Sequence, residues 1–107
     1  MPDIVQDPTG LEVVLTDECW QHKVSRHPEM RPFKELVLKT IQEPVGIYEG
    51  KRVPTTRIYR KSYAELPGVG NSLDILVFLG DDGKHVATAY PIAYSIRMLG
   101  RSVWPTT

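Results

Sequence analysis

The chain has 107 residues, 41% of them apolar and 24% charged, which suits one hydrophobic core and excludes both a second core and a disordered chain. Its formal net charge of zero hides a segregation, with −5 over residues 1–18, +6 over 19–64 and −1 over 65–107. A neutral total therefore does not exclude a polyanion partner, because binding follows the local field; the competing explanation is two solvated faces that offset each other.

Residues 1–10 hold Pro2, Pro8 and Gly10 and few apolar side chains, and are expected as a flexible lead-in to a single domain over 11–107. Leu11 to Leu15 is a short extended segment. Thr16 offers a hydroxyl N-cap, and Asp17 and Glu18 place negative charge in a first helical turn. That helix is expected to run through Cys19, Trp20 and Val24 and to stop near His27, because Pro28 disfavours helical geometry before it. A second helix is predicted from Pro32 to Pro44. Its stripe is Phe33, Leu36, Val37 and Ile41. From Val45 the texture is β. Strands are expected at Val45–Glu49, Thr55–Tyr63, Leu73–Leu79 and His85–Ile92. Gly50, the loop Leu66–Ser72 and the hairpin turn Asp81–Lys84 separate them. Short connections imply antiparallel pairing, so the expected fold class is α+β: two N-terminal helices on one face of a meander of about four strands. Ile96, Leu99, Val103 and Trp104 suggest that the tail, 95–107, forms a short helix docked on the core or on a partner.

Cys19 is the only cysteine, which rules out an intramolecular disulfide and fits a reducing compartment. The longest apolar run, Ile75 to Leu79, is far too short for a membrane span. The acidic start lacks the basic-then-apolar pattern of a secretory leader, so a cytoplasmic location is expected.

The densest chemical signal is basic. Lys51, Arg52, Arg57, Arg60 and Lys61 occur without an intervening acid, and Tyr48, Tyr59 and Tyr63 interleave with them. Side chains alternate along a strand, so Arg57, Tyr59 and Lys61 share one face while Ile58 and Arg60 share the other. Arginines beside aromatics on an open sheet suit an RNA backbone with unstacked bases. An edge strand guarded by charge against aggregation has the same composition. His27 is expected at a helix C-terminus, where the dipole favours its protonated form, with His22 and Arg26 on the same helix. Histidine moves protons near neutral pH, and Thr88 and Tyr90 on the last strand are hydroxyl donors. Cys19, His22, His27 and His85 lack paired metal-ligand spacing, and Gly68-Val69-Gly70 lacks the third glycine of a phosphate loop. No metal or cofactor is expected.

Taken together, WQHKVSRHPEM, a helix ending in proline, then IYRKSY, LDILVFL and HVATAYP resemble the barnase–EndoU–colicin–RelE-like group of nuclease folds over about residues 11–104. RHPE and TAYP are the most specific pieces. The resemblance implies helices on a four-stranded antiparallel sheet and metal-independent RNA cleavage in a toxin or mobile-element setting. It implies an antitoxin or immunity protein as partner. Position by position, His22, Arg26 and His27 match its helix motif, Arg60 its middle strand, and Thr88 and Tyr90 its final strand. Glu29, in a turn after Pro28, is a candidate for the glutamate base of barnase-like enzymes. The expected site is therefore His22, His27, Arg26, Arg60, Thr88 and Tyr90 for catalysis, with Lys51, Arg52, Arg57, Tyr59 and Lys61 holding RNA. A non-catalytic module of the same fold that binds nucleic acid or protein stands as the alternative, and the tail is a candidate homodimer contact.

Overall fold

The computed structural model describes residues 1–105. Its frame is a pair of long strands, β4 (Arg57–Leu66) and β5 (Gly70–Leu79), rich in β-branched and aromatic residues. They pair antiparallel through a tight turn in which Gly68 takes φ +82°, a conformation that glycine adopts without strain. Strand β3 (Gly46–Gly50) lies beside β4, and β6 (Val86–Ile92) beside β5. A fifth strand, β7 (Leu99–Trp104), returns to pair antiparallel with β3, giving the order β6-β5-β4-β3-β7.

The class is α+β, but the arrangement differs from a helices-first, four-stranded plan. The chain opens on strands: β1 (Asp3–Gln6) and β2 (Glu12–Leu15) form a hairpin within the segment expected as a lead-in. The tail, expected as a helix, supplies β7 after a single 3-10 turn, Ser95–Met98. Residues 106 and 107 of that tail lie outside the described residues. Val103 and Trp104 pack against the core of their own chain.

Thr16 caps helix α1 (Asp17–Cys19), its hydroxyl accepting the Cys19 N–H at 3.0 Å. After one turn the helix widens into a π-helical segment, Trp20–Val24, closed by the Ser25 N–H on the Trp20 carbonyl at 2.7 Å. Pro28–Phe33 then winds as a 3-10 helix, and α2 (Lys34–Gln42) begins only after it. Met30, Phe33, Val37 and Ile41 pack with Ile47, Tyr59, Ile75, Val77 and Ala89 in one buried cluster. Each large apolar side chain taken fully from water contributes about 1.5–3 kcal/mol. A polar tie fixes α2 on the sheet: the Tyr63 hydroxyl donates to the Leu36 carbonyl at 3.0 Å, and buried Thr40 donates to the same carbonyl at 2.7 Å.

The N-terminal hairpin is locked by Asp7, whose side chain is fully buried. One carboxylate oxygen accepts the Thr9 N–H (2.8 Å), the Thr9 hydroxyl (2.7 Å) and the Leu11 N–H (3.1 Å), closing the turn. The other accepts the Tyr59 hydroxyl at 2.5 Å and the Arg57 guanidinium at 3.0 Å. Burial pushes the Asp7 carboxyl up, but the donors Tyr59, Thr9 and Arg57 outweigh it and hold it below its ordinary value. Asp7→Ala leaves Arg57 and Tyr59 facing a dry gap and is expected to cost about 3–5 kcal/mol, a large share of a small domain's stability. Because the folded pKa is depressed, the wild-type contribution is present above the unfolded carboxyl pKa and fades as pH falls through the folded one. Urea unfolding at pH 7 and pH 3 checks both points: the wild type is expected to lose stability on acidification, and Asp7→Ala to lose less of what it has.

Candidate functional site

Met30, Phe33, Val37 and Ile41 share the main buried cluster with Ile47, Tyr59, Ile75 and Val77, which lie on one face of the sheet. The other carries Tyr48, Ile58, Leu76, Phe78 and Ile92 in a second, smaller apolar cluster with Leu99. Because β6 and β7 lie at opposite edges, the segment joining them has to cross this second face. Asp74 holds it there. Its carboxylate accepts the hydroxyl of Ser95, which is buried, together with the Ser62 hydroxyl at 2.7 Å and the Arg60 guanidinium at 2.9 Å. Burial raises the Asp74 carboxyl, and hydrogen bonds from Ser95, Ser62 and Arg60 more than reverse it, so it is held below its ordinary range.

The anchored turn places Arg97 and Met98 beside the loop after β3. Lys51 N–H donates to the Met98 carbonyl at 3.4 Å. That loop leaves β3 at Gly50, where a Cβ would lie 2.5 Å from the Val53 carbonyl oxygen, so only glycine fits without moving the loop. Between loop and turn lies a cleft of about 460 Å³, within the ~300–1,000 Å³ of small-ligand sites. Ile58, Phe78 and Met98 line it as apolar residues, and Lys51, Arg52 and Arg97 as cations, with no carboxylate among the lining side chains. Among the described residues none of these cations forms an ion pair; the nearby Glu49 is taken by Arg101 at 2.6 Å. Arg97 lies over the Tyr94 ring at 5.7 Å. Val53, Tyr94 and Ile96 are exposed.

The residues expected to cleave RNA are divided among three places. His22 and Thr88 line a second, shallow groove of about 500 Å³ between the first helix and β6, together with Glu18, Lys23 and Cys19. Arg26 and His27 are exposed beyond that helix, and His27 Nδ1 is 3.9 Å from the Glu29 carboxylate. Arg60 lies on the other side of the sheet, committed to Asp74 and 3.5 Å from the Tyr48 hydroxyl. Tyr90 stacks on Phe78 at 5.3 Å on that same side. The Cys19 thiol is buried, which raises its pKa, and it donates to the Val86 carbonyl at 3.1 Å.

The residues expected to hold RNA separate in the same way. Lys51 and Arg52 are exposed at the cleft. Tyr59 is fully buried under the helices, Arg57 is spent on Asp7, and the Lys61 ammonium donates to the Glu43 carbonyl at 2.7 Å. These three are structural contacts rather than an open platform. The sequence reading missed Arg97, Met98, Val53 and Phe78. Their visible signal was an arginine set between exposed-type apolar residues in the tail, without any indication of what it would meet. Among the described residues there is no cluster of three potential metal ligands, and no helix is long and apolar enough to cross a membrane. Asp82 is a turn residue: the N–H groups of His85 and Lys84 and the His85 ring hold it near pKa 2. Comparison with protein families, curated proteins and solved structures returns no match.

Asp74→Ala is expected to cost about 2–3 kcal/mol, less than the ~3–5 of a fully buried pair because Arg60 is 31% exposed. Hydrogen exchange locates the effect: the amides of Arg97 and Leu99 are expected to exchange much faster, while those at the middle of β5 keep their relative protection. Uniform acceleration across the sheet would show that Asp74 stabilises the fold as a whole and not the crossing.

Proposed function

We propose that this domain binds RNA through the cleft between Lys51–Val53 and the Ser95–Met98 turn. The observation that carries the proposal is the composition of that cleft: three cations that form no ion pair among the described residues, around an apolar lining. Unpaired cations attract phosphates by releasing condensed counterions, and apolar and aromatic surface accepts base faces. The zero net charge is no obstacle, because Asp7, Asp74 and Glu49 are already engaged by Arg57, Arg60 and Arg101.

Fluorescence anisotropy with a short single-stranded RNA tests this. Log affinity is expected to fall with log salt at a slope of about −2, from three contacts at ~0.7 each. The triple variant Lys51→Ala, Arg52→Ala, Arg97→Ala is expected to bind at least about tenfold more weakly with a flatter slope. All three side chains are exposed, so the fold is expected to survive. Equal binding by variant and wild type would remove the cleft from consideration.

A cleavage reading keeps one observation in its favour: His22 and Thr88 both line the second groove. It assigns His22 the proton transfer and Thr88 a phosphate oxygen. Its expected outcome is RNA cleavage in the presence of a chelator, lost by about 10²-fold or more in His22→Ala. Absence of cleavage, or equal cleavage by wild type and variant, leaves binding alone.

A further inference from the structure

We infer that the cleft takes one unstacked nucleobase, and so selects single-stranded over duplex RNA. The inference rests on the RNA-binding reading and specifies what enters the site.

The basis is the division of labour within the cleft. A purely electrostatic phosphate site needs cations and N–H donors and has no use for an apolar floor. Here the floor is apolar: Ile58 is 1% exposed, and Phe78 is half-buried and braced from behind by the stacked Tyr90 ring. Met98 stands 38% exposed and Val53 53% exposed, large apolar side chains kept wet in the free protein. A flat, weakly hydrated π-face removes that apolar surface from water, and the cations are then left for the phosphates on either side of the base. In a duplex the base faces are already stacked, so only the phosphate contacts remain. An anionic membrane surface shares the charge complement, but it is served by protruding apolar groups, whereas the lining here encloses a cleft of about 460 Å³.

The experiment compares three RNA ligands by anisotropy at one salt concentration: a uridine oligomer of about eight nucleotides, an abasic oligomer with the same number of phosphates, and a duplex of the same length. The uridine oligomer is expected to bind about tenfold or more tightly than the other two. Met98→Ala and Val53→Ala, both at exposed positions, are expected to narrow that ratio. Equal affinity for the uridine and abasic oligomers overturns the base subsite while leaving phosphate binding in place. No binding to any of the three, or binding to anionic phospholipid vesicles instead, overturns both.

Discussion

The Asp74 carboxylate is the contact on which the second face of this protein depends. A chain that leaves a sheet at one edge and re-enters at the other has to run over a face, and backbone in that position needs a polar anchor. Asp74 supplies it by receiving Ser95 from the crossing segment and Arg60 and Ser62 from the neighbouring strand. From that anchor follow the place of Arg97 and Met98, the entry of β7 beside β3, and the cleft. The same contact engages Arg60, whose Nε donates to a largely buried carboxylate.

Asp7 performs the matching task on the helix face. It fastens a hairpin of short strands, whose Val13, Val14 and Leu15 are themselves buried, onto Tyr59 and Arg57 of β4. The two aspartates thus use three of the cations and hydroxyls that make β4 look like a nucleic-acid platform. What remains free is a smaller basic group displaced toward the edge of the sheet, and it includes an arginine from a distant part of the chain. The basic segment of the sequence is thus divided in the fold: Arg57 and Arg60 are paired with Asp7 and Asp74, while Lys51 and Arg52 line the cleft with Arg97.

Much of the local structure was legible. Thr16 as a cap, the apolar stripe of the second helix, the Asp81–Lys84 turn and the succession of four strands each follow from chemistry within a few residues. Alternation correctly separated Arg57, Tyr59 and Lys61 from Arg60. It could not say which of the two faces the helices would take, and that choice decides whether Tyr59 is a platform or a core residue. The β7 segment, LGRSVW, carries a glycine and an arginine and no strong periodicity, so its pairing with β3, about fifty residues earlier, left no local trace. The cleft depends on that pairing, which is why half of it was missing from the sequence reading. The resemblance of the His22–His27 helix to a nuclease motif concerned residues close in sequence. The fold sends their expected partner, Arg60, to the opposite face.

Binding at this cleft is a statement about location, and backbone chemical shifts report location directly. Titrating the isotopically labelled domain with single-stranded RNA is expected to move the amide resonances of Gly50–Val53 and Arg97–Met98 in a saturable way, while those of Gln21–Arg26 stay in place. Perturbations centred on Gln21–Arg26 and Ala87–Thr88, with the cleft amides unmoved, would contradict it and transfer the RNA to the groove of His22.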